Sequence, residues 1–182
     1  MAVAGVIAIA LMLAVSGSTP SQVDPSRLPA DQRSWLRAVT EAQKAAEGAT
    51  EVQVVSLRKE RGKAMCRSLG SDLAVSDWIG TVTNVETTLG GDGGVLTVAL
   101  ARDVSVSTWN NGLSDLGDDT IIDPDSPLYE DLGRLKPGDE VVISGNFMAH
   151  DGNCVRDMNL LDVDGVTQPE FVFRFTSIKA TP

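Results

Sequence analysis

The apolar positions of the chain change their spacing twice. Residues 2–15 are small or apolar without a break and carry no charge. The stretch SGSTPSQVDPSRLP that follows is rich in serine and proline and reads as a linker over residues 18–29. From Ala30 to Glu47, strong helix formers carry a short apolar stripe of Trp35, Leu36 and Val39, and Gly48 stops it. A second helix is predicted between Thr50 as N-cap and Gly70 as C-cap, with Val54, Leu57, Arg61, Met65 and Leu69 recurring at helical spacing.

From Val75 onward the spacing becomes two. VSDWIGTVTNVETT and GVLTVALA read as strands of a hairpin, joined through Gly90, Gly91, Gly93 and Gly94. GGDGG is a turn rather than a phosphate loop, since no GKS or GKT follows and the next segment is β-branched. VSVSTW, from Val104 to Trp109, continues the alternation as a third strand. SPLYEDLGRLKPGD predicts a short helix with Ser126 as cap, Pro127 at its first position and Leu128, Leu132 and Leu135 on one face. EVVISGNFM is a fourth strand with Val141, Ile143 and Phe147 on one side, and DMNLLDV a fifth. PEFVFRFTSIK closes the series, with Phe171, Phe173 and Phe175 on one face.

The order β-β-β-α-β-β plus a closing strand, behind two helices, predicts a mainly β fold with N-terminal helices. The barrel would be an OB-fold-like Greek-key β-barrel, which leaves few strand edges exposed. The implied organisation is a signal peptide or short membrane anchor over 1–17, a linker over 18–29, a two-helix segment over 30–70 and the barrel over 71–182. Together, WIGTV, GVLTVAL, TWNN, SPLY, LKPGDEVVISGNF and PEFVFRFTSI resemble a family of uncharacterised bacterial exported or membrane-anchored proteins with an OB-fold-like domain. The resemblance covers roughly Trp78 to Ile178. It implies fold and location and carries no catalytic residue with it.

Charge sharpens this picture. The formal net charge is -10, and it is unevenly spread. Up to Gly70 there are nine Lys and Arg against six Asp and Glu, a balance of +3, whereas from Ser71 onward the balance is -13. Such an acidic half repels phosphate backbones, so no nucleic acid is expected as a partner, and the phenylalanine face of the last strand reads as barrel core rather than a base-stacking platform. The basic face bearing Arg58, Lys59, Arg61 and Lys63 would dock on the acidic barrel. Its alternative is contact with acidic lipid heads, if residues 2–16 hold the chain at a membrane.

The apolar run is short for a membrane span, which takes roughly 20 residues, and has the length of a signal-peptide h-region. No basic residue precedes Arg27, a departure from the usual signal pattern. The expected location is exported, periplasmic or membrane-anchored with the domain outside the cytoplasm. In an oxidising compartment Cys66 and Cys154 would form a disulfide that staples the basic segment to the acidic domain, while in a reducing one they would be two separate buried thiols. The leader favours the pair. Neither belongs to a CxxC or has a histidine at metal-ligand spacing.

Candidate chemistry concentrates in STWNNGLSDLGDDTIIDPDS, from Ser107 to Ser126. Asp115, Asp118, Asp119, Asp123 and Asp125 lack the regular alternation of a calcium loop, so no metal is assigned. Trp109, Asn110 and Asn111 sit at a strand end, where an aromatic ring beside amides can hold a peptide or sugar; the alternative is ordinary turn chemistry. Trp109, Asn110, Asn111, Asp115, Asp118 and Asp119 are thus the candidate binding rim, for a protein or envelope partner. His150 is the sole histidine and no GxSxG or HExxH accompanies it, so no catalytic residue and no cofactor is assigned and the chain reads as a binding module rather than an enzyme. A structural role, with the helices driving oligomerisation, is the competing expectation.

Overall fold

A computed structural model describes residues 23–181. The expected leader or anchor, and the membrane association through residues 2–16, lie outside the described residues. Two helices come first, α1 (Ala30–Ala46) and α2 (Glu51–Leu69), followed by the strands β1 (Ala74–Thr87), β2 (Gly94–Ala101) and β3 (Val104–Ser107). Helix α3 (Pro127–Leu132) precedes β4 (Glu140–Phe147). A small hairpin of β5 (Ala149–His150) and β6 (Cys154–Val155), the short helix α4 (Asp162–Thr167) and the strand β7 (Glu170–Ala180) complete the chain. Strands β1-β2-β3-β7-β4 close a five-stranded barrel, in which β3 and β7 run parallel and the other pairs antiparallel.

The helix boundaries follow from their caps. Thr50 and Gln53 form a reciprocal capping box, and Gly70 takes a positive φ of 74° beyond the last turn of α2. Ser126 caps α3 through the Tyr129 amide at 3.3 Å, and Leu132 is buried beneath it.

Barrel register follows from the alternation. Val82, Val98, Val106 and Phe171 are cross-strand partners in one inward row, and all four are buried. Val141, Ile143, Phe147, Phe173, Phe175 and Ile178 extend this core, as the alternation requires.

DMNLLDV is not a strand. Its Leu160 and Leu161 are exposed, at 99% and 63%, and the segment passes from an irregular stretch into α4. Residues 156–158 touch β7 briefly, the Val172 amide donating to the Arg156 carbonyl at 2.9 Å and the Met158 amide to the Glu170 carbonyl at 2.8 Å, while the Asp157 side chain turns to α2, where Arg58 and Arg61 both pair with its carboxylate. Asp162 binds Arg58 as well, and the Gly165 carbonyl accepts from Arg61. Beyond its brief pairing with β7 the chain leaves the sheet for α4, so the barrel has five strands rather than six.

The same contacts dock the helices. Arg58 and Arg61 face the barrel side while Lys59 and Lys63 stay exposed. Burial pushes Arg61 down to about 10, with Asp157 opposing the shift. It therefore remains charged at neutral pH, facing Asp157 and lying 5.1 Å from the Phe171 ring centroid. Gly62 sits where a side chain could not: an added Cβ would lie 2.6 Å from the Asn153 carbonyl oxygen. Next to it Cys66 and Cys154 form a disulfide, with Cα atoms 5.7 Å apart. The helices also share the barrel's core, since Trp35, Leu36, Val39, Met65 and Leu69 belong to the same buried cluster as the strand residues.

The residues just before α1 are packed down as well. Leu28 is buried in that cluster, and Arg27 makes a two-pronged ion pair with Glu140 at 2.7 and 2.9 Å. The hydrogen bonds from Arg27 hold the Glu140 carboxyl below its ordinary value.

Two predictions follow from these staples. Replacing both cysteines by alanine should lower the unfolding free energy by about 4 to 5 kcal/mol in the chain-entropy model, and reductant should have the same effect on the parent protein but none on the variant. Denaturant titration with and without reductant checks this. The contribution of Arg27–Glu140 should be complete above the ordinary glutamate value and be lost as pH falls through it to the lowered folded value. Glu140→Gln should therefore lower the unfolding midpoint at neutral pH and flatten its fall on acidification.

Candidate functional site

Two surfaces compete for a functional role, the predicted rim and a groove on the barrel wall. The rim is an ordered loop whose polar groups largely bind one another. Asp115 accepts from the Thr120 amide and hydroxyl, both at 2.7 Å, and from the Ile121 amide at 3.2 Å. Asp118 accepts from the Trp109 indole N–H at 2.9 Å and from Arg156 at 2.7 Å. Asn111 accepts from the Ser114 amide and donates to Asn110, both at 2.9 Å. Asp119 adopts a left-handed φ of 50° on the exposed side of the loop. The structure thus gathers all six candidates into one loop, with Trp109, Asn111 and Asp115 half-buried, Asp118 buried, and Asn110 and Asp119 exposed.

The turn chemistry is physical rather than incidental. An aspartate that accepts three bonds from the next turn replaces the partners those backbone groups would otherwise find in water. Among the described residues no group of three or more His, Cys, Asp or Glu is placed to hold a metal ion. His150 is exposed, and its Nδ1 accepts from the Gly152 and Asn153 amides of its own turn.

The groove crosses the outer face of β1, β2 and β3. Thr81, Ala99, Ser105 and Glu170 are successive cross-strand partners, forming the row next to the inward Val82–Val98–Val106–Phe171 row. Because side chains alternate along a strand, this row points outward. Its floor is built from Thr, Ala and Ser, and the turn at Arg102–Asp103 and the Pro169 stretch form its walls. The resulting cavity is about 690 Å³, within the roughly 300–1,000 Å³ of ligand clefts. Behind the row, Thr97 and Ser107 join their hydroxyls at 2.8 Å, and Thr83 donates to the Thr97 carbonyl at 3.2 Å, which fixes the floor.

Sequence reasoning missed this surface because alternation alone assigns outward positions to solvent. One signal was present: Ala99 and Ala101 stand outward where charged residues are usual on a wet strand face. No aromatic ring lies on the floor, so the groove has no platform for stacking a base or a sugar ring.

Compared with known family models, curated proteins and solved structures, the chain matches none. No helix among the described residues is long and apolar enough to cross a membrane.

The loop's internal bonding yields a local prediction. Asp115→Ala removes three accepted hydrogen bonds and should destabilise the protein by about 1 to 3 kcal/mol, with faster amide exchange confined to residues 111–122. Exchange that rises uniformly over the barrel would show that the loop is not a local unit.

Proposed function

We propose that this protein is an exported or membrane-tethered binding module with an OB-like barrel, whose ligand is a protein or envelope component held in the groove on β1, β2 and β3. The barrel order β1-β2-β3-β7-β4, with α3 between its third and fourth strands, supports the OB-like reading, and such barrels commonly bind through strand faces and adjoining loops. The disulfide and the apolar leader both fit an oxidising compartment.

The observation that carries the reading is the groove floor. Half-buried Ala99 and Ser105, beside buried Thr81, leave room for another chain to approach the sheet closely without bulky side chains in the way. Binding is favoured over assembly through the helices, because α1 and α2 bury Trp35, Leu36, Val39, Met65 and Leu69 against the barrel. No residue of the rim loop lines the groove in this reading; the loop borders the cleft beside β7 instead.

A photo-crosslinking residue at Ala101, in cells that make the protein, tests this. A discrete adduct is expected, and Ala99→Arg, which fills the floor, should reduce it at least severalfold while leaving the unfolding midpoint unchanged. If Ala101 captured no more than a probe at exposed Lys179, or if Ala99→Arg left capture intact, the groove would not be the binding surface.

A further inference from the structure

On the side of β7 away from β4 the barrel seam is incomplete. β3 pairs with β7 through Ser105–Ser107 against Glu170–Val172, yet β7 continues to Ala180. From Phe173 onward, among the described residues, β4 is the one strand that pairs with it. In an antiparallel pair the backbone groups of alternate residues turn away from the partner. Apart from the bulge at Thr176, where the register with β4 shifts, this part of β7 therefore carries donors and acceptors along an edge that no strand covers among the described residues, and such an edge is a template for an extended peptide.

What borders the edge gives the peptide its chemistry. A cleft of about 460 Å³ lies between β7, the 119–123 loop and α3. Ile121, Leu128 and Phe175 make it apolar, and exposed Thr176 marks the strand edge. Asp119 and Asp123 stand on its rim. Asp119 is exposed, and Asp123 commits its Oδ1 to the Asp125 amide, leaving Oδ2 open. Arg174 also lines the cleft; its Nε and Nη2 donate to the Asp118 carbonyl, which orients the guanidinium and leaves its charge in place, so Asp119 and Asp123 outweigh one cation. Asp131, the third carboxylate, is paired with Arg134.

An acidic rim around an apolar cleft beside an open strand edge complements an extended cationic chain. It opposes an anionic one, and the -13 balance of the chain from Ser71 onward adds long-range attraction for cations. We propose that this seam takes an extended, lysine- or arginine-bearing segment of a partner polypeptide. Its backbone pairs with β7 on either side of the Thr176 bulge, an apolar side chain enters the cleft, and a cationic one lies between Asp119 and Asp123. This site is separate from the groove on β1, β2 and β3, so either reading can fail without the other.

The test uses the full disulfide-bonded chain and a short end-blocked peptide of alternating valine and lysine, followed by amide chemical shifts. Saturable shifts are expected at residues 119–123 and 174–178, weakening as salt is raised. A valine–glutamate peptide should not bind, and N-methylation of alternate amides in the valine–lysine peptide should abolish binding. The double variant Asp119→Asn, Asp123→Asn should weaken the affinity about three- to tenfold, the range of one or two exposed ion pairs. The peptide controls stand even if that variant perturbs the loop. Shifts centred elsewhere, equal binding of the glutamate peptide, or undiminished binding after N-methylation would each overturn the proposal.

Discussion

Trp35 is the contact on which the rest of the molecule depends. It projects from α1 into the barrel and meets Trp78, Phe147 and Phe171 with ring centroids 5.1 to 5.4 Å away. Its indole Nε1 is buried without a hydrogen-bond partner among the described residues, a cost of about 1 to 3 kcal/mol. Burying a ring of that size returns about 4 to 6 kcal/mol from area alone, at roughly 25 cal/mol per Å² over 150–250 Å². Packing therefore wins, and α1 becomes part of the barrel core.

Around that ring, α1 also completes the sheet. β2 pairs with β1 up to Thr81, so Ile79 lies beyond its reach. The buried Gln32 side chain fills the gap, donating to the Ile79 carbonyl at 2.6 Å and accepting from the Ile79 amide at 2.9 Å. Asp31 accepts from the Trp78 indole at 2.7 Å. A helix side chain thus stands in for a strand where the strand has ended, because buried backbone groups must find partners. Arg58, Arg61 and the disulfide hold the second helix to the same assembly, with Arg61 over the Phe171 ring that Trp35 also meets.

This clamping explains how both candidate surfaces can exist. A barrel secured by helices, a disulfide and an aromatic plug can leave small residues outward on β1, β2 and β3 and leave part of β7 unpaired. The rim loop contributes by ordering itself: Asp115 and Asp118 hold it down from within, so Asp119 and Asp123 keep fixed positions at the cleft. Carboxylates that appear equivalent in the chain therefore divide into internal fasteners and exposed rim groups.

The period of the apolar residues and the caps at Thr50, Gly70 and Ser126 determined the helices and the barrel strands, because both signals are local. Inward Phe171, Phe173 and Phe175 were legible for the same reason, whereas of the basic face only Arg58 and Arg61 meet carboxylates and Lys59 and Lys63 stay exposed. DMNLLDV was misread because Met158, Leu160, Leu161 and Val163 make a short apolar run of strand length, while its aspartates bind Arg58 and Arg61, about a hundred positions earlier. Trp109, Asn110 and Asn111 were recognisable as a loop feature, but whether their partners were ligand or chain could not be read locally. The Thr81–Ala99–Ser105–Glu170 row exists through strand register alone, and the open edge of β7 through the shortness of β3. Local propensity and period decide which elements form; distant charges, registers and unpaired edges decide which surfaces they leave, since those depend on residues brought together by folding.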